Sequence, residues 1–277
     1  MQRMGESGLE VLRNHLARPP LIMTLATQAT MELQIILNTF ASDVFRKQAD
    51  YDYISARANY RMQLRQQFLW SSHQAVEKYL KAILLFNGRS ARFYTPAGAT
   101  KRREFGHDLE ALLTEVTSIA LFNLEIEPED EKFLTYLSRQ GANRYLSTSA
   151  YNTSDAIHRL DKLVWHIRRY CQYIDDRGIG CREAVPGMQE AVLRSIADPV
   201  KKKIPHSFAL FGGELEAVIK RIPTDLARKA LVWANLWYGK KRRLRVTYSS
   251  FSSSEIPPNE REWTGVDWTL IEEYVKP

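Results

Sequence analysis

The sequence predicts an all-α protein: an antiparallel helical bundle with an N-terminal arm and a mostly helical C-terminal extension. Three observations lead there. From Thr30 to Phe86 the chain lacks the Gly and Pro that interrupt helices. "SSHQAVEKYLKAILLFNG", Ser71 to Gly88, sets Val76, Tyr79, Leu80, Ile83 and Leu84 at three-and-four spacing, the pattern of a helix with one buried face. Ile157, Leu160, Val164, Ile167, Cys171 and Ile174 repeat that spacing as a seam suited to a bundle.

Taken in order, residues 1–29 form an arm, because Pro19-Pro20 separates the amphipathic Glu6 to Arg18 from the rest. Leu33, Ile36, Leu37, Phe40 and Val44, then Tyr53, Ile54, Tyr60, Leu64 and Phe68, place two or three long helices up to Phe86. The polar face of the last one holds His73, Glu77, Lys78 and Lys81, with Glu77 four residues before Lys81 in the favourable order for an ion pair. Asn87 to Asp108, with three Gly, one Pro and a basic cluster, reads as a loop. Asp108 then caps a helix "LEALLTEV", and Pro128 to Gln140 forms another with acidic residues in its first turn. Ser154 or Asp155 caps the helix that ends near Ile174; Arg159, Lys162, His166 and Arg169 form a stripe on it, either a solvated face or a phosphate track.

The bundle is placed at residues 30–176 and the extension at 182–277. Two helices are expected in the extension, "GELEAVIKRI" and "TDLARKALVWANLWYG", the second with Leu226, Ala230, Trp233 and Trp237 on one side. The basic run "KKRRLR", a short strand "VTYSSF" and a closing helix "DWTLIEEYV" follow.

Composition is that of an ordinary globular chain: 277 residues, 26% charged and 44% apolar, with a formal net charge of +7. The positive balance favours anionic partners. Two cysteines, Cys171 and Cys181, suit free thiols in a reducing compartment. With neither a membrane-length apolar run nor a secretory signal, the expectation is a cytoplasmic protein away from membranes. A glycine-rich phosphate loop, a His-Glu-x-x-His motif and a Cys pair at metal spacing are all lacking, so neither cofactor nor metal is expected.

Four short matches occur in order along the chain. Asp52-Tyr53 opens a helix, "QAVEKYLKAILLFNG" runs from Gln74 to Gly88, "GHDLEALL" runs from Gly106 to Leu113, and Asn143-Arg144-Tyr145 precedes the last long helix. Together they resemble the HEPN domain family of prokaryotes and higher eukaryotes over residues 50–175, with Leu146 where the family has the proline of an Arg-Tyr-Pro element. The resemblance implies a bundle of four or five helices that dimerises and binds nucleotides or RNA, in some settings beside a nucleotidyltransferase.

Some members of the family are metal-independent endoribonucleases of toxin or defence type, with four to six residues between an Arg and a His. In such a pair the His moves a proton and the Arg steadies the phosphorane. Arg102 with His107, and Arg159 with His166, have suitable spacing. Neither stands at the family position, where "NRYLSTSAY" holds Arg144 and no His precedes His158. The expectation is therefore binding without efficient catalysis, through Asn143, Arg144, Tyr145, Lys78, Lys81 and His107, helped by the aromatic and basic loop. The competing readings are the ribonuclease and a structural dimerisation module with a recognition domain. For Arg144 the structural alternative is an ion pair with Glu77, and for Tyr145 it is core packing.

Overall fold

A computed structural model describes residues 25–121, 124, 126–141, 155–174, 186–197, 213–235, 237 and 238. The arm, "KKRRLR", "VTYSSF", "DWTLIEEYV" and Cys181 lie outside the described residues. The chain divides into two units, Met1–Ile36 and Leu37–Pro277. Helix α1 (Leu25–Phe40) leads into a π-helical stretch (Ala41–Arg46) and then α2 (Lys47–Arg61). Helix α3 (Arg65–Phe86) follows a turn at Met62–Leu64.

That turn is a helix C-terminus built without glycine. Leu64 N–H donates to Asn59 O and Gln63 N–H to Tyr60 O, while Gln63 adopts φ 63°. This double hydrogen bond with a left-handed residue usually recruits Gly. The end of α3 uses the same arrangement with Gly88 at φ 69°.

The Asn87–Asp108 loop carries a two-residue hairpin, β1 (Phe93–Tyr94) and β2 (Arg103–Glu104), paired antiparallel. Tyr94 and Phe105 stack beneath it with centroids 4.6 Å apart. Helix α4 (Leu109–Thr117) starts where Asp108 accepts a hydrogen bond from Ala111 N–H at 2.9 Å. Helix α5 (Pro128–Gly141) has Glu129, Asp130 and Glu131 in its first turn. Helix α6 (Ala156–Arg168) follows Asp155, whose carboxylate takes Arg159 at 2.6 Å and makes no capping bond. Helices α7 (Met188–Ala197), α8 (Glu214–Lys220) and α9 (Leu226–Val232) complete the described order.

Helix α3 is buried on nearly all sides, by α2, α4, α5 and α6. Its supposed polar face is therefore interior: His73 and Glu77 are both buried. One core runs through Tyr53, Phe68, Leu80, Leu112, Leu134, Leu160 and Val164. The pairs Lys78–Asp52 and Asn59–Ser71 set α2 antiparallel to α3. The pairs Arg168–Asp50 and Arg57–Asp161 set α2 antiparallel to α6 as well. So α3 and α6 pack together, as the spacing predicts, but run in the same direction, since both are antiparallel to α2. Cys171, just past α6, donates its thiol to Tyr79 O at 3.3 Å, and burial pushes that thiol far up into its protonated form.

The second extension helix is shorter than expected. It stops at Val232, and Ala234 turns the chain at φ 51°. Leu226 is 80% exposed, whereas Trp237 stacks on Trp165 at 4.7 Å and Arg61 lies over the Trp233 ring at 5.7 Å. Those two tryptophans pack within their own chain. Trp263 and Trp268 lie outside the described residues. Among the described residues, no helix is long and apolar enough to cross a membrane.

Candidate functional site

One stripe of α3 carries Trp70, His73, Glu77 and Lys81, spaced so that each stands above the last. Three groups converge on the Glu77 carboxylate. Lys81 Nζ donates to Oε1 at 2.6 Å, and His107 Nδ1 donates to Oε2 at 3.0 Å. His73 Nδ1 stands 3.6 Å from Oε2. Lys81 also donates to Gly106 O at 3.3 Å, and His73 Nε2–H to His107 O at 3.0 Å, so the loop before α4 is tied to the stripe at two backbone points. On the other flank, Trp70 stacks on His73 with centroids 6.4 Å apart.

The close approach of α5 depends on Gly141. A Cβ there would lie 2.3 Å from His73 Cβ and 3.0 Å from Leu69 O. His73 is thus enclosed by α3, the His107 loop and the last residue of α5.

Electrostatics follow from this enclosure. Burial pushes the Glu77 carboxyl up, but hydrogen bonds from Lys81 and His107 outweigh it and hold the group below its usual range. Burial pushes the His73 imidazole below its usual value despite nearby Glu77. His73 is then neutral, donating from Nε2 and leaving Nδ1 without a hydrogen bond. His107 differs: its side chain is 62% exposed, and Nδ1 is fixed on Glu77. A carboxylate that orients one imidazole nitrogen leaves the other for an outside partner.

These shifts have a definite sign. His73 lies below the usual 6.5 in the folded chain, so protonation favours the unfolded state and stability declines as pH drops below about 6.5. The Glu77 contribution is present above its usual 4.5 and is lost as pH falls through its lowered value. Thermal unfolding from pH 8 to 5 should show a loss of at most about 1.4 kcal/mol per pH unit from His73, absent in His73→Gln. An identical slope in that variant would assign the loss elsewhere.

The hairpin that leads into His107 carries Lys101, Arg102 and Arg103, all exposed and without an ion pair to a described residue. Two other loop arginines are engaged: Arg92 with Glu104 at 2.8 Å, and Arg89 with Glu115 at 2.7 Å.

The remaining expected residues are placed as follows. Arg102 and His107 share the loop and are both exposed. Lys78 pairs with Asp52 of α2, away from the Glu77 stripe. Arg159, Lys162 and His166 face the acidic first turn of α5: Arg159 lies 3.6 Å from Glu129, Lys162 donates to Glu127 at 2.6 Å, and His166 Nδ1 lies 3.1 Å from Asp130 Oδ2. Arg159 and Lys162 thus meet carboxylates at the start of α5, while Arg169, the fourth member of the stripe, donates to His166 O at 3.1 Å and to Ile196 O at 3.2 Å. Asn143, Arg144 and Tyr145 lie outside the described residues; the described chain stops at Gly141, against His73. Glu77, the alternative ion-pair partner for Arg144, is already held by Lys81 and His107. Sequence reasoning missed His73 as a buried support and Gly141 as the contact that admits it. The only available signal was Gly141 itself, read as a helix end.

Fold and site together define a helical bundle whose central helix carries a histidine–glutamate–lysine cluster joined by His107, at the end of a basic hairpin loop. Residues 42–172 match the family model described as HEPN domain. No curated protein and no solved structure matches the chain. The match supports a nucleotide- or RNA-related function in general.

Proposed function

We propose that this protein binds RNA or a nucleotide over the His107–Glu77–Lys81 cluster, without efficient cleavage. Lys101, Arg102 and Arg103 contribute phosphate contacts, and Asn143, Arg144 and Tyr145, beginning two residues past Gly141 in sequence, complete the site. One observation carries this reading: exposed His107 is anchored on Glu77 at the end of a loop whose Lys101, Arg102 and Arg103 are exposed and have no described ion-pair partner. Cations left open beside a fixed polar group suit a phosphate chain more than a structural seam, where each charge finds a partner, as on α6. A homodimer in the cytoplasm, with a nucleotidyltransferase as partner, is the setting that goes with this reading.

The second reading, a metal-independent ribonuclease, draws on the same His107. A histidine oriented by a carboxylate, five residues after Arg102, has the parts for proton transfer beside a phosphate. One experiment separates the two. Purified protein is incubated with labelled single-stranded RNA, and separately with nucleoside triphosphates, in EDTA at low salt, with light scattering on the same samples. Binding without cleavage is expected. Replacing Lys101, Arg102 and Arg103 together by Ala should weaken RNA binding by roughly 10- to 100-fold and flatten its salt dependence. Arg144→Ala should cost about 1.5 to 3 kcal/mol. Cleavage that vanishes in His107→Ala would install the ribonuclease. No affinity for any of these ligands would leave the structural module.

A further inference from the structure

We propose that residues 213–238 are an internal ligand of the bundle, a docked segment that opens as a unit although its buried side chains join the bundle's core. This segment lies wholly beyond the residues that match the HEPN family. Its apolar contribution comes from Leu215, Val218, Ala230, Leu231 and Tyr238, all buried, which supply the drive to dock.

The polar contacts are made largely with the ends of its helices. Asp50 Oδ2 accepts from Glu214 N–H at 3.0 Å and from Leu215 N–H at 3.3 Å, which satisfies the start of α8. Arg57 donates to Ala230 O at 3.1 Å and to Trp233 O, which satisfies carbonyls at the end of α9. Arg168 holds the Glu216 carboxylate through two bonds of 2.7 Å, and Asn235 donates to Tyr53 Oη at 2.9 Å. At the rim, Lys47 Nζ stands 3.5 Å from Glu214.

What makes the segment separable is the position of the ion pairs. Both buried arginines have a carboxylate partner inside the bundle: Arg168 has Asp50, and Arg57 has Asp161. Each carboxylate also accepts a tyrosine hydroxyl, from Tyr79 and Tyr53 respectively, at 2.6 Å. Undocking breaks neither pair. The groups it releases are backbone N–H and C=O, the Asn235 amide, the Tyr238 hydroxyl and the Glu214 and Glu216 carboxylates, all of which water satisfies. Had Asp50 or Asp161 belonged to the segment, opening would strand a charge on the bundle. Opening instead turns Arg57 and Arg168 toward solvent with their own carboxylates still attached.

Hydrogen exchange on the intact chain tests this. Amides of Leu215–Tyr238 should exchange together, about tenfold or more faster than those of Ala75–Leu85 in α3. Glu216→Gln leaves Arg168 on Asp50, and should speed exchange of the segment by a further factor of about ten, with the segment still exchanging ahead of α3. Asn235→Ala should do the same. Exchange of the wild-type segment at the rate of α3 would overturn the proposal, because the two would then open only together. A segment that exchanges no faster in either variant than in the wild type would overturn it as well.

Discussion

Arg168→Met is expected to cost roughly 3–5 kcal/mol of folding stability, the usual penalty for removing one partner of a buried ion pair. The Arg168 side chain is fully buried, donating to Asp50 Oδ1 at 2.7 Å and Oδ2 at 2.8 Å and to Glu216. Burial disfavours its charge, but Asp50 and Glu216 more than compensate and hold the guanidinium firmly protonated. Met fills a similar volume and supplies no charge. Asp50 would then keep only the Tyr79 hydroxyl and two backbone N–H groups around a buried carboxylate.

Urea unfolding measures the loss. Asp50→Asn in the same chain should recover part of it, so that the two single costs exceed the double by about 1–3 kcal/mol. Arg168→Lys, which keeps the charge and loses the fork, should fall between wild type and Arg168→Met. A cost below about 1 kcal/mol for Arg168→Met would mean that water reaches this pair and that its burial is not maintained in solution.

The contrast between two helix ends shows what could be read from the sequence. Gly88 ends α3 where a glycine signals an end, whereas Gln63 ends α2 with the same hydrogen bonds and no glycine to mark it. Local chemistry was legible wherever partners are near in sequence, as with Asp108 capping α4 and Glu77 bonding Lys81. It was not legible across the fold. Nothing in "SSHQAVEKYL" tells that α5 and the His107 loop cover the polar face of α3. The Glu77–His107 contact joins residues 30 apart, and the Asp50–Glu214 contact joins residues 164 apart. Charge on α6 gave two readings and the fold supplied a third, since the acidic turn at Glu127–Asp130 is itself a helix-start signal whose second role depends on which helix it meets. Candidate residues Lys81, His107 and Arg102 came from pattern and resemblance, but their support by His73 and Gly141 is a matter of packing alone.

Gly141→Ala is the complementary experiment, because it adds one methyl group at that packing point. The new Cβ would meet His73 Cβ at 2.3 Å and Cγ at 2.9 Å. Neither is the flexible tip of a side chain, so the end of α5 must move away from α3. Alanine also favours helix by up to about 1 kcal/mol over glycine, an advantage that shrinks at a helix terminus. Overpacking of a buried contact costs about 1–3 kcal/mol, so the steric term should win and the variant should be less stable. The displacement falls on His73, which carries the His107 backbone through its Nε2–H, and on the point from which the chain continues to Asn143, Arg144 and Tyr145. RNA affinity should therefore drop along with stability, while Gly98→Ala, at φ 74° in the hairpin loop with open space around it, should show only the modest strain of its backbone. A Gly141→Ala protein that is as stable as wild type and binds RNA as well would show that α5 does not press on His73. The cluster would then be looser than drawn, and the link from α5 to the binding site would fall.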